Sequence, residues 1–116
     1  MKTQNKKKEK YERYYLINDK GRDLEFNGIL IAEVANNDCP TDGEYSGFPG
    51  RDRYYLFRTK LGKLIAAHRQ IHYANGTSDR AKVCKNEEEI IKFFGLGWLA
   101  KNLYYEADIS VSNLIK

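Results

Sequence analysis

Cysteine and proline are scarce in this chain, with two of each, and each scarcity narrows the reading. Cys39 and Cys84 are too few for a disulfide framework and neither belongs to a Cys-x-x-Cys pair, so reduced thiols and a fold held by its own core are expected. Long apolar runs are missing too. Stretches such as 29–32 and 64–67 fall far short of the roughly 20 residues of a membrane helix and of a signal-peptide core, so the expected location is the cytoplasm, without a membrane partner. No Gly-Lys-Ser/Thr and no Gly-x-Gly-x-x-Gly follows a strand pattern, which leaves nucleotide cofactors without support. No cofactor is expected.

What is present suits one packed domain. The 116 residues are 41% hydrophobic and 13% aromatic, richer in both than a disordered chain. Nine tyrosines supply rings that are apolar in body and polar at the tip, useful at a core edge or a contact surface. The net charge of +4 resides in the first thirteen residues, where Lys2, Lys6, Lys7, Lys8, Lys10 and Arg13 outnumber Glu9 and Glu12; the rest is formally neutral. A basic arm on a neutral body is weaker evidence for a nucleic-acid groove than a basic body. Residues 1–10 read as a disordered basic arm and residues 11–116 as a single globular domain.

The pattern of the body is sheet first, helices after. Residues 11–17 suit a strand, and Asn18-Asp19-Lys20-Gly21 is turn chemistry. A second strand over 23–34 is interrupted by Asn27-Gly28, read as a glycine bulge. Residues 36–52 hold both prolines and read as a long loop. Residues 53–60 and 63–73 alternate as a hairpin turning at Leu61-Gly62; the second arm also fits a helical stripe, and the short turn favours a strand. A turn over 74–79 leads to a short strand over 80–84. Asn86 with Glu89 three residues later resembles a capping box; the helix it opens ends at Gly95. Leu96, Leu99, Ala100, Leu103 and Ala107 recur at helical spacing as the inner stripe of a second helix. The expected class is α+β: an antiparallel sheet of about four to five strands, with two C-terminal helices packed on one face.

Chemistry-bearing residues are few. His68 and His72, the only histidines, are four apart and share a face on a strand or a helix, and strand pairing would bring Cys84 to the same face. Zinc accepts such ligands, but residues four apart on a strand lie about 13 Å apart, so no metal site is assigned. The same histidines, with Arg58 or Lys82, supply the residue types of a metal-free nuclease, an unspecific signal, and no catalytic residue is assigned. Asp38, Asp42 and Glu44 do not match an EF-hand loop and read as a solvated turn. Arg51, Arg53, Tyr54, Tyr55, Phe57 and Arg58 interleave bases with aromatics, as do Arg13, Tyr14 and Tyr15, in the manner of single-strand binders. Of these, Arg53, Tyr54, Tyr55 and Arg58 are the candidate nucleic-acid contacts, although strand aromatics are more often core. Tyr45 and Phe48, with Arg51, are large or charged groups in a glycine-rich segment that a partner or the domain's own core must cover.

The reading that results is a small non-catalytic interaction module. Its expected partner is another protein, held through Tyr45, Phe48 and Arg51 and through tyrosine-rich strands. The alternatives are a nucleic-acid-binding accessory protein using the arm with Arg53, Tyr54, Tyr55 and Arg58, and a small enzyme using His68 and His72. A homodimer through a sheet edge or helix face is compatible with this architecture, and no residue specifies it.

Overall fold

The computed structural model describes residues 10–36, 50–72 and 76–112; the basic arm up to residue 9 and the predicted contact residues Tyr45 and Phe48 lie outside them. Five strands run in the order of the sequence, each antiparallel to the next: β1 (Glu12–Leu16), β2 (Leu24–Ala35), β3 (Gly50–Thr59), β4 (Leu64–His72) and β5 (Gly76–Cys84). Two helices follow, α1 (Glu87–Phe94) and α2 (Trp98–Ala107). The α+β architecture expected from the hydrophobic pattern is the one observed, and residues 64–72 are strand. No helix of the described residues is long and apolar enough to cross a membrane.

Two strand starts and one bulge differ from expectation by more than one residue. β3 begins at Gly50, so residues 50–52, assigned to the long loop, are strand and pair with 70–72 of β4. β5 begins at Gly76 rather than Arg80, because pairing with β4 recruits the polar residues 76–79 that by themselves resemble a turn. The bulge in β2 lies between Leu30 and Ala32, not at Asn27-Gly28. Gly28 instead stays in register with both Glu12 and Thr59, and it is glycine because of a close approach: a Cβ there would stand 2.6 Å from the Arg58 carbonyl oxygen and 3.1 Å from the Phe26 ring. Gly28→Ala is therefore expected to destabilise the fold by about 1–3 kcal/mol, as overpacking does; a urea midpoint equal to the parent's would show that the backbone yields without cost.

This bend near the middle of β2 decides the shape. β1 and the first half of β2 fold over the sheet face that the helices leave uncovered. Tyr14, Leu16, Leu24 and Phe26 pack there on Phe57, Ile65, Ala67 and Ala81, with the Tyr14 and Phe26 ring centroids 4.6 and 5.3 Å from that of Phe57. The turn at the end of β1 is tied to the far edge of the sheet. Asp19 N–H donates to the Asp79 carbonyl (2.8 Å), Asp79 N–H to the Asp19 carboxylate (2.7 Å), and Ala81 N–H to Asn18 Oδ1 (3.3 Å). These bonds occupy backbone groups of β5 that an edge strand otherwise offers to a neighbouring sheet.

The helices cover the other face, α2 chiefly against β2 and α1 against β5 and β4. Asn86 Oδ1 accepts from Glu89 N–H (3.0 Å), as the capping motif predicts, but Glu89 reaches back to Lys85 N–H (2.9 Å), one residue further than in the usual box. Its carboxyl is held below the ordinary range, first by that backbone bond. Gly95 ends α1 with a φ of +85°, a conformation costly for any other residue. Ile90, Phe94, Leu99, Ala100, Leu103 and Tyr104 bury against Ala32, Val34, Leu56, Ala66 and Cys84. Leu96, assigned to the inner stripe, is exposed, since it lies between the helices. Tyr104 is buried instead; its hydroxyl donates to the Gly95 carbonyl (2.7 Å), and burial pushes its pKa up to about 12.

Candidate functional site

Pleating sorts the predicted residues onto two faces. Alternate strand residues point opposite ways, so the set Arg53, Tyr54, Tyr55 and Arg58 does not form one surface. Tyr54 and Arg58 belong to the helix-covered face. Tyr54 is half-buried there against Phe94, with ring centroids 4.7 Å apart, and against the edge of His68 at 4.9 Å. Arg53 and Tyr55 lie on the opposite face, and Arg51, from the predicted protein-binding set, joins them by the same alternation.

The histidine reading changes in the same way. His68 stands between two charged groups: its Nε2 is 2.9 Å from Asp52 Oδ1, and its Nδ1 is 3.0 Å from an Arg80 guanidinium nitrogen. Arginine has no lone pair to offer, so Nδ1 accepts and the ring proton sits on Nε2, donated to Asp52. Both nitrogens are thus spent on neighbours. The Arg80 guanidinium also lies over the Phe93 ring, 4.5 Å from its centroid. This chain of contacts ties β3, β4, β5 and α1 together. His72 pairs with Gly50 and Gly76 at the far end of β4, and its side chain lies outside the described residues. Cys84 pairs with Leu64, four residues from His68 and about 13 Å along the strand, so the three suggested zinc ligands do not converge. The Cys84 thiol is buried, which raises its pKa. Among the described residues no three His, Cys, Asp or Glu side chains gather as a metal site.

Among the described residues two depressions stand out. The smaller, of about 190 Å³, lies by the first turn of α2, where Asn36, Asp52, Tyr54, Phe94 and Trp98 meet; among the described residues nothing accepts from Asn36 Nδ2. The larger, of about 290 Å³, opens on the face away from the helices, at the seam between β1 and β5 that the folded-over hairpin leaves unclosed. Tyr14, Leu16 and Ile17 form one wall, Tyr55, Phe57 and Ala67 the floor, and Arg69 and Asp79 the opposite rim. Ala67, the smallest of these side chains, lies in the floor. Leu30 completes the wall, 40% exposed. Burial raises the pKa of Tyr55 and of Tyr14, the latter helped by Glu12.

A row of charges crosses the sheet beside this cleft. Arg53 pairs with Glu33 at 2.8 Å, Arg69 lies 3.7 Å from Asp79, and Arg53 and Arg69 are direct cross-strand partners. The order is therefore acid, base, base, acid across β2 to β5. Burial raises the Asp79 pKa, opposed by Arg69 and reinforced by Asp19.

Leu30, Arg69 and Asp79 are not among the residues that the sequence singles out, whereas Phe57 and Tyr14 belong to its interleaved bases and rings. The expected two-residue turn at Leu61-Gly62 would set Arg53 opposite Gln70. The observed connection spans 60–62, with Thr59 N–H donating to the Lys63 carbonyl (2.8 Å), and this shift of one residue is what places Arg69 opposite Arg53. The hairpin that folds across to build the other wall carries no local signal of doing so. Comparison with known proteins adds no likeness: no family model matches the chain, and neither the curated proteins nor the solved structures include a match.

Proposed function

We propose that this chain is a non-catalytic binding module whose ligand occupies the cleft between β1 and β5. The observation that carries this reading is the cleft itself: a hollow of about 290 Å³ with an aromatic floor and a charged rim, on the face the helices leave bare. Apolar concave sites with a few convergent polar groups are where small ligands and anchor side chains bind. Support for a non-catalytic role comes from His68, whose two ring nitrogens already face Asp52 and Arg80 and so offer a substrate no base or acid in this arrangement. Arg51 and Tyr55, drawn from the protein- and nucleic-acid-binding expectations, both belong to the cleft side of β3.

The reading is tested with 8-anilinonaphthalene-1-sulfonate, a dye that pairs fused and single aromatic rings with an anion. The folded chain is expected to enhance its fluorescence at one saturable site, and Leu30→Glu, at a wall position 40% exposed, to weaken that site at least about tenfold, a loss of about 1.4 kcal/mol, with an unchanged melting temperature. A parent protein that leaves the dye dark, or a Leu30→Glu variant that binds it equally well, would remove the cleft as a ligand site.

A further inference from the structure

Taking the cleft as the binding site, we infer that its ligand is single-stranded nucleic acid, with a base stacked on the Tyr55 and Tyr14 side of the cleft and its phosphate held between Arg53 and Arg69. The first argument is electrostatic. Like charges directly opposite one another on neighbouring strands destabilise a sheet. Arg53 and Arg69 are such a pair, and both side chains are accessible, at 40% and 50%. Glu33, hydrogen-bonded to Arg53 at 2.8 Å, and Asp79 offset the repulsion from the outer flanks, and the Arg69–Asp79 separation of 3.7 Å is too long for a hydrogen bond. An anion placed between the two guanidiniums is attracted by both, and two forks of N–H donors match phosphate oxygens.

The second argument is the adjacency of charge and ring. Tyr55 follows Arg53 by two residues on β3, so it lies on the same face about 6.7 Å further along. It pairs with Ala67, which is likewise two residues from Arg69. A row of guanidiniums therefore runs beside a row that is aromatic on one strand and hollow on the other. Phosphate and base in a polynucleotide are joined in the same order, and base stacking on an aromatic ring is indifferent to base identity. A duplex keeps its base faces covered, so only an unpaired strand can use both rows.

The third argument is charge complementarity at longer range. The wall of the cleft formed by β1 continues directly into the segment 1–13, which carries the whole net charge of +4. The net charge of that segment favours a polyanionic ligand over an uncharged peptide.

The test is fluorescence anisotropy of the full chain with labelled oligo(dT), oligo(U) and a duplex, each about 12 nucleotides long and within the span of known single-strand sites, from about 50 to 200 mM salt. The same oligonucleotides, and uridine monophosphate, are used to displace the anilinonaphthalene dye. Single strands are expected to bind more tightly than duplex and to displace the dye. Tyr55→Leu should weaken them about 5- to 100-fold, the range of one lost stacking contact; Arg53→Gln and Arg69→Gln should each reduce the salt slope by about 0.7. The two arginine changes are at accessible positions, so they keep the test decisive if Tyr55→Leu folds poorly. Equal binding by parent and arginine variants, or a preference for duplex, would overturn the inference. Displacement of the dye by the mononucleotide as effective as by the oligomers would also overturn it, in favour of a free nucleotide. If no nucleic acid binds while the dye still enters the cleft, the ligand class is wrong and the cleft stands; if the dye also fails, both readings fall.

Discussion

Phe57→Ala is expected to lower stability by roughly 3–5 kcal/mol and to loosen the β1–β2 hairpin before the rest of the sheet. Phe57 is 3% exposed and stands at the centre of the aromatic cluster, touching Tyr14, Phe26 and Tyr55. Two of those rings belong to the folded-over hairpin, so their removal from contact costs more than the buried area of one side chain. Edge-to-face and offset ring pairs contribute about 0.5–1.5 kcal/mol each beyond area. A loss of this size is a large share of the 5–15 kcal/mol that holds a typical domain together. Urea unfolding gives the stability, and amide exchange gives the location: protection should fall first over residues 12–28. A loss below about 1 kcal/mol, or exchange that rises uniformly, would mean that the hairpin is not held by this cluster. Dye binding in the cleft should vanish in the same variant, since Phe57 is its floor.

Leu103→Ala is expected to cost a comparable 2–5 kcal/mol without affecting the cleft. Leu103 is fully buried, on the face of α2 that meets Ala32, Val34 and Leu56, and its truncation leaves a void under the helix layer that the strands cannot collapse to fill. Here the m-value should stay constant while the urea midpoint falls. The variant, in conditions where it remains folded, should bind the dye as tightly as the parent. Together the two substitutions test whether the faces of the sheet are separate: one layer buries α1 and α2, the other carries the ligand site. If Leu103→Ala abolished dye binding in the folded protein, the cleft would depend on the helices, and the assignment of function to the opposite face would fail.

Much of the fold was legible because its signals are local. Asn86 with Glu89, and Gly95 after Phe94, mark a helix by capping chemistry that needs no partner. Alternation in β3 and the turn at Leu61-Gly62 mark a hairpin. The misread boundaries share one cause. Residues 50–52 and 76–79 read as loop or turn by composition, yet each is strand because β4 lies alongside with unpaired backbone groups. Gly28 is ambiguous in the sequence for a related reason: a glycine in a strand signals either a bulge or a close approach, and only the position of the Arg58 carbonyl and the Phe26 ring distinguishes them.

The candidate site was half legible. Arg53 and Tyr55 were noted for the interleaving of base and ring, but Tyr54 and Arg58 were noted on the same ground and point the other way. Local alternation divides the strand into two sets; it does not say which set the helices will cover. His68 looked like a free acid or base because its partners Asp52 and Arg80, 16 and 12 residues away in the chain, come from two other strands.

What the sequence by itself determined was the succession of strands and helices, the existence of the β3–β4 hairpin and the cap of α1, since all of these are set by residues within a few positions of one another. Only the tertiary structure decided that β1 and the first half of β2 fold across the bare face, that Asn18 and Asp19 tie to β5, and that a cleft remains between them beside two facing arginines. Those features depend on the bend at Ile31, the close approach at Gly28 and contacts between groups up to 63 residues apart, where packing rather than local preference selects the conformation.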